Sequence, residues 1–251
     1  MNENFVNLHI DKDKYEQLAE KFKVGGIPDT LFITPEGRII TRIIGYMPAA
    51  EFLAELKKVP DIWKQLTDLE AAVAKDEKNA QARFDLARIL ASGGDLEGAE
   101  KQLRAVIELD KDNAKGLALE SWWALAEATL GTDEPDIAKA KEALGKVQEL
   151  DAKNEKGRAD NAAVKLAEIL MDSDPKGSKA VFEKVIADYP KTDGAGEAMF
   201  MLGAWYANIE GNFDAAAAQM KKLAEEMPDS EWAKRVPRAL EQIEKMKNAP
   251  K

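Results

Sequence analysis

Five short turns, DEKN at 76, DKDN at 110, DAKN at 151, YPKT at 189 and MPDS at 227, punctuate the chain at offsets of 34, 41, 38 and 38 residues. A period of that length constrains a fold more than composition does. One supersecondary unit recurs, and each copy must bury its apolar face against the next. The side chains ahead of the turns keep the same register. Ala99, Leu103 and Val106 precede DKDN; Ala140, Leu144 and Val147 precede DAKN; Ser178, Phe182 and Val185 precede YPKT; Ala216, Met220 and Leu223 precede MPDS. The spacing i, i+4, i+7 is one face of a helix. Its small residue lets a neighbouring helix approach, and the two larger residues fill the gap. From Pro60 onward helices rich in Ala, Leu, Glu and Lys alternate with short turns, and no strand pattern occurs.

Residues 1–58 have a different grammar. Phe5–Ile10 (FVNLHI) alternates, with Val6, Leu8 and Ile10 on one face, and predicts a strand. Tyr15, Leu18, Ala19 and Phe22 predict a helix ended by Gly25 and Gly26. TLFIT (30–34) and RIITRIIGY (38–46) predict two strands joined by the PEG turn (35–37). Ala49, Phe52, Leu53 and Leu56 share the face of a closing helix. PDIWKQLTDLEAAVAK (60–75) predicts a second helix folded back on that one, joining the two regions through a packed hairpin. The first full repeat has a glycine-led inner turn, GGDLEGA (93–99), and GNFDAA (211–216) repeats it. The second repeat carries extra residues around TLGTDEPD, and the third has MDSDPKGS where a glycine-led turn belongs. SEWAKRVPRALEQIEKM predicts a terminal helix covering the last repeat's apolar face.

These residues carry two resemblances. The 34-residue period and its small-large-large triplets resemble the tetratricopeptide repeat, a pair of antiparallel helices. FVNLHID, a helix, VGGIPDTLFITPEGRIITRIIGY and an amphipathic helix, spanning residues 3–58, resemble the C-terminal part of a thioredoxin-like domain. The combination is similar to a group of bacterial proteins involved in thiol redox or chaperone-like binding. The implied fold is mostly α: a tetratricopeptide-like α-solenoid of antiparallel helix pairs over 59–251, with a capping helix, preceded by a small α/β partial thioredoxin fold over 1–58. The resemblance makes Ile27–Pro28 the family's cis-proline bend, where substrate backbone pairs.

What the family places beside that proline is missing. Its Cys-x-x-Cys lies on an earlier strand and helix with no counterpart here, and the chain contains no cysteine. The absent strand is central in the family, between the counterparts of FVNLHI and TLFIT. Three accounts stay open: an N-terminally truncated sequence, which is the expectation; closure into a smaller sheet; or a strand supplied by another chain. Without a thiol this chain has no nucleophile for disulfide exchange. The expected function is therefore non-catalytic, a scaffold or chaperone-like module that binds polypeptide. The alternative is a piece of a thiol–disulfide oxidoreductase.

Other chemistry finds little support. The net charge of −10 repels phosphate backbones, so nucleic acid is not an expected partner. The longest strongly apolar run, Ala198 to Ile209, is 12 residues and too short to span a bilayer. Absence of cysteine fits an oxidising or a reducing compartment alike, so cytoplasm and periplasm both stay open. His9 has no indicated catalytic or metal-binding company and is read as a strand residue. Asp110 and Asp11 begin calcium-loop-like runs, but Lys115 and Glu16 stand where glycine is needed, and Ser121 and Phe22 where glutamate is needed. Capping explains both runs better. No metal or cofactor is expected. The repeat resemblance implies a peptide-binding groove built mainly from the first helices, with Arg83, Phe84 and Arg88 near it and Asn161 and Lys165 of the third repeat as looser candidates. Trp122, Trp123, Trp205 and Tyr206 also lie on first helices and are read as repeat core rather than binding anchors.

Overall fold

The DKDN and DAKN turns build the helix starts that follow them. The buried Asp110 carboxylate accepts hydrogen bonds from the N–H groups of Lys115 (3.1 Å), Leu117 (2.9 Å) and Ala118 (3.2 Å). Asn113, left-handed at φ 52°, accepts from the Leu119 N–H at 2.9 Å. The second turn repeats the device. Asp151 accepts from Lys156 (3.0 Å) and Arg158 (2.9 Å), and Asn154, at φ 55°, accepts from Asp160 at 3.2 Å. Asparagine tolerates the left-handed backbone these turns need, and the aspartate satisfies N–H groups that a helix start leaves orphaned.

A computed structural model describes residues 5–132 and 134–248. They fall into two compact units, residues 1–99 and 100–251. The first unit begins with α1 (Glu16–Lys21), then the antiparallel hairpin β1 (Asp29–Ile33) and β2 (Ile39–Ile44), α2 (Ala49–Lys75) and α3 (Ala80–Ser92). The helix α4 (Leu96–Leu109) follows. The second unit holds α5 (Leu117–Leu130), α6 (Ile137–Leu150), α7 (Ala159–Leu170), α8 (Pro175–Asp188), α9 (Asp193–Asn208), α10 (Phe213–Glu226), a short 3-10 turn (Ala233–Arg235) and α11 (Val236–Lys247).

The predicted triplets are the core positions. All twelve residues, from Ala99 to Leu223, are buried. In the second unit consecutive helices pack on one another from α5 to α11, and α7 also packs on α9. Phe182 and Val185 of α8 lie against Val164 and Ala167 of α7 and Ala198 and Leu202 of α9. Met220 and Leu223 of α10 meet Ala233, Val236 and Ile243, so the terminal helix covers the last repeat. Where the third repeat lacks a glycine-led turn, Asp174 takes over by accepting from the Gly177 N–H, with Pro175 at the first helical position. The extra residues of the second repeat separate α5 from α6; Asp133 among them lies outside the described residues.

Two predicted elements are corrected. Residues 5–10 form no strand. Phe5 packs edge-on against Phe32 at 5.8 Å, but Val6 and Leu8 stand in solvent. Alternation says which face a neighbour would bury; it does not provide the neighbour, and a strand exists only as part of a ladder. Nor do residues 49–75 fold into a hairpin. They are a single helix, α2, running through Pro60. Its buried stripe Leu56, Val59 and Leu66 continues across the proline. Leu56 and Val59 pack on Phe32 and Ile40 of the sheet, while Leu66 packs on Leu86 and Leu90 of α3. Packing at both ends outweighs the one helical hydrogen bond that proline removes.

Candidate functional site

Asp29 holds the bend that precedes β1. Its side chain is 3% exposed and that of Arg42, on β2, 14%. Arg42 donates to Asp29 through Nη2 (2.6 Å) and Nε (3.2 Å), and Nη2 also reaches the carbonyls of Phe22 (3.0 Å) and Lys23 (3.2 Å). One guanidinium thus ties the end of α1, the bend and the hairpin together. The Ile27–Pro28 peptide is cis, and both residues are exposed.

The hairpin register decides which backbone groups are spoken for. Asp29 pairs with Ile44, Thr30 with Ile43, Leu31 with Arg42 and Phe32 with Thr41, and the Gly45 N–H donates to the Pro28 carbonyl at 2.8 Å. In an antiparallel ladder such bonds recur at every second residue. Thr30 and Phe32 therefore face β2, and Asp29 and Leu31 turn their N–H and C=O groups to the other edge. Among the described residues no strand pairs with that edge. Ile27, two residues before β1, is an exposed apolar side chain at 76% exposure; Ile44 and Tyr46, at 68% and 86%, are exposed at the end of β2 and just beyond it.

The groove residues read from the sequence separate into two sets. On α3, Arg83 donates through Nε to the Glu77 carbonyl at 2.8 Å, at the start of its own helix; Phe84 is half-buried and Arg88 exposed. In the second unit, Asn161 and Lys165 lie one turn apart on α7. Lys165 donates to Glu168 on its own helix (2.9 Å) and to Glu197 on α9 (3.0 Å). Burial draws the Lys165 ammonium down, but the hydrogen bonds and charges of the two glutamates outweigh it and hold it above its usual range. Burial pushes the Glu197 carboxyl up, and Lys165 pulls it back only in part. Asn161 donates through Nδ2 to the Gly157 carbonyl at 2.9 Å, while its buried Oδ1 has no donor.

A second ion pair links α5 to the start of α7. Arg158 meets Glu120 in two bonds, 2.6 and 3.1 Å, and stacks over Trp123 at 4.8 Å. Trp123 and Trp205 are buried, and Trp205 donates to the Pro175 carbonyl at 2.9 Å. Trp122 and Tyr206 are half-buried, and Tyr206 packs edge-on against Trp205. His9 is exposed. Sequence reasoning missed Glu120, Glu168 and Glu197. Glu197 had a readable signal: it is the one charge in the small and apolar stretch Gly194–Tyr206. Among the described residues no His, Cys, Asp and Glu group is arranged to hold a metal ion, and no helix is long and apolar enough to cross a membrane.

A strand-bearing bend ahead of stacked helix pairs defines a two-part class: a thioredoxin-like domain at the N-terminus followed by tetratricopeptide repeats. Family models agree. A thioredoxin-like domain matches residues 2–60, and tetratricopeptide repeats match residues 66–122, 161–192 and 197–230. The chain is also similar to the chloroplastic thioredoxin-like protein HCF164 of Oryza sativa subsp. japonica, 40% identical over 50 residues. That match takes in 20% of this chain and 19% of the relative's length.

Proposed function

We propose that the chain is a non-catalytic polypeptide-binding module, in which the tetratricopeptide repeats serve as an interaction scaffold and the thioredoxin-like part accepts an extended partner segment. The observation that carries this reading is the free edge of β1. Asp29 and Leu31 direct their backbone groups to an edge that no strand pairs with among the described residues, and Ile27, two residues before Asp29, exposes apolar surface at the start of the strand. An extended segment laid there gains main-chain hydrogen bonds and covers apolar area together. With no cysteine the chain itself offers no thiol for exchange.

The test is binding of short extended peptides with alternating apolar side chains, compared with the same peptides N-methylated on alternate residues. Loss of binding on N-methylation, and with Leu31→Pro, is expected. Proline at Leu31 removes an outward N–H without touching the β1–β2 bonds. Binding indifferent to both changes would overturn the reading.

A second reading is favoured by the thioredoxin-like match over residues 2–60: the chain is the substrate-contacting part of a thiol–disulfide oxidoreductase, with Ile27 and Pro28 at the contact. In-frame coding sequence upstream of Met1 with a Trp-Cys-x-x-Cys run supports it, and a nearby stop codon removes it.

A further inference from the structure

β1 and the segment ahead of α1 are each half of a ladder. On β1, Asp29 and Leu31 turn their N–H and C=O groups to an edge that no strand pairs with among the described residues. Sheet edges are ordinarily blunted by charge, proline or a bulge. This one is not. β1 (DTLFI) holds no proline and no lysine, and its one charge, Asp29, is consumed by Arg42. The extra residue at the register shift, Ile40, belongs to β2. Residues 5–10 (FVNLHI) are the complement of such an edge. They contain no proline, carboxylate, lysine or arginine, their apolar residues alternate, and they belong to no strand. Val6 and Leu8 are 91% and 77% exposed. A segment of this composition gains order from a ladder partner.

That partner is not the β1 of the same chain. Phe5 holds the segment close to β1, with its ring edge-on to Phe32 at 5.8 Å, and packs against the cluster that Phe32 and Ile40 form with Leu56 and Val59 of α2. Residues 6–10 nevertheless leave the edge unpaired. Each chain thus displays an acceptor edge and a donor segment side by side and does not join them. Two such surfaces on one chain are self-complementary, which is the requirement for a closed two-fold assembly. The apolar surface is distributed accordingly. Apart from Leu109, Ile137 and Ile209, every exposed large apolar side chain among the described residues falls within residues 6–53. Exposed apolar surface concentrated in this way marks an interaction face.

We propose that residues 6–10 of a second copy of this chain occupy the β1 edge, and that the exchange is reciprocal, giving a two-fold dimer held by two intermolecular ladders. Leu31 and Ile33 share one face of β1, and the incoming Val6, Leu8 and Ile10 extend that apolar row. The proposal rests on the reading of the β1 edge as an acceptor of extended polypeptide, and names the occupant of that edge when no other partner is bound. Self-association and partner binding then compete for one edge, so a bound partner segment releases the monomer.

The test is sedimentation velocity of the full chain from micromolar to millimolar concentration, with two variants. The wild type should become a dimer within that range. Leu8→Pro breaks the donor segment at an exposed position and leaves the edge intact, whereas Leu31→Pro removes an outward N–H from the edge and leaves the segment intact. Each variant alone should stay a monomer. Mixed in equal amounts, the two should form a heterodimer with one ladder, because the segment of one meets the edge of the other. Hydrogen exchange locates the contact: the Leu31 amide should exchange about tenfold more slowly in the wild-type dimer than in Leu8→Pro, with the Thr30 and Phe32 amides unchanged. Circular dichroism checks that both variants keep the fold. A wild type that stays monomeric, a dimer that survives Leu8→Pro, or a mixture that stays monomeric would overturn the proposal. The alternating apolar peptides separate it from the edge reading. If Leu8→Pro binds them and the wild type is a monomer, only the dimer fails; if Leu8→Pro binds none, both fail.

Discussion

Arg42 and Asp29 form the least exposed ion pair in the hairpin unit, and the same Arg42 amino group caps the carbonyls of Phe22 and Lys23 where α1 ends. Arg42→Ala would leave a buried carboxylate unpaired and two carbonyls without their donor. Breaking a buried pair from one side costs about 3–5 kcal/mol. The loss should be read where it occurs, in hydrogen-exchange protection of the Thr30 and Phe32 amides. Protection there should fall strongly while amides of α9 and α10 keep theirs. Asp29→Asn should cost less, because the amide oxygen still accepts from Arg42.

Gly194 lies where α9 crosses the start of α7. A Cβ at this position would fall 2.7 Å from the Asp160 carboxylate and 3.0 Å from Asn161 Oδ1. Asp160 is buried and holds the Asn161 N–H at 2.9 Å, so it has little freedom to withdraw. Gly194→Ala should therefore destabilise by about 1–3 kcal/mol, as overpacking does, despite alanine's better helix propensity. A urea titration followed by Trp fluorescence measures it. A stability gain would mean that the two helices move apart without loss.

The pH dependence of the α7–α9 seam follows from two displaced titrations. Both Glu197 and Lys165 hold their protons more tightly folded than unfolded, Glu197 because burial disfavours its charge, Lys165 because its two glutamates together outweigh burial. The native state then binds more protons in each window, so stability falls as pH rises through it. For Glu197 the fall begins near the ordinary carboxylate value of 4.5 and is complete above its raised folded value. For Lys165 the contribution is present below 10.5 and disappears as pH climbs through its raised folded value. Glu197→Gln removes the acidic window. Its stability relative to the wild type should thus rise as pH climbs from the ordinary carboxylate value of 4.5 through the raised folded value, in urea titrations. A difference independent of pH would show that Glu197 titrates normally.

What the residues revealed in advance depended on whether the information was local. The triplets Ala140, Leu144, Val147 and their counterparts could be read because helical burial follows a fixed spacing within one segment. The stretch FVNLHI misled because strand formation depends on a neighbour elsewhere, and its alternation exists with or without one. The stretch around Pro60 misled for the opposite reason. Proline is a local stop signal, and the packing of Leu56, Val59 and Leu66 on two different cores, which overrides it, is not local. At the candidate site, Asn161 and Lys165 are candidates that repeat register suggests. The partner that closes on Lys165 lies 32 residues onward, on the next first helix, and only the packing of α7 on α9 joins them.

Asp110 and Asp151 offer the most direct test of the repeat grammar. Each is buried, each stands first in its turn, and each accepts N–H groups from the chain that enters the next first helix. The carboxylate satisfies donors that no helical carbonyl can reach, in a setting where water has little access. Alanine at either position should cost about 2 kcal/mol, more than an exposed cap, because the orphaned N–H groups at Leu117 and Ala118, or at Arg158, remain partly buried. Asparagine should recover part of the loss at each site, since one oxygen can still accept. The next turn, YPKT, has no such aspartate; there Thr192 caps α9 through the Ala195 N–H at 3.1 Å, so Thr192→Ala should cost closer to about 1 kcal/mol. Thermal or urea unfolding of the three alanine variants ranks them. Equal costs at Asp110 and Asp151 with a smaller one at Thr192 would establish that the turn aspartate, rather than turn backbone alone, sets where each repeat begins; a larger loss at Thr192 would refute it.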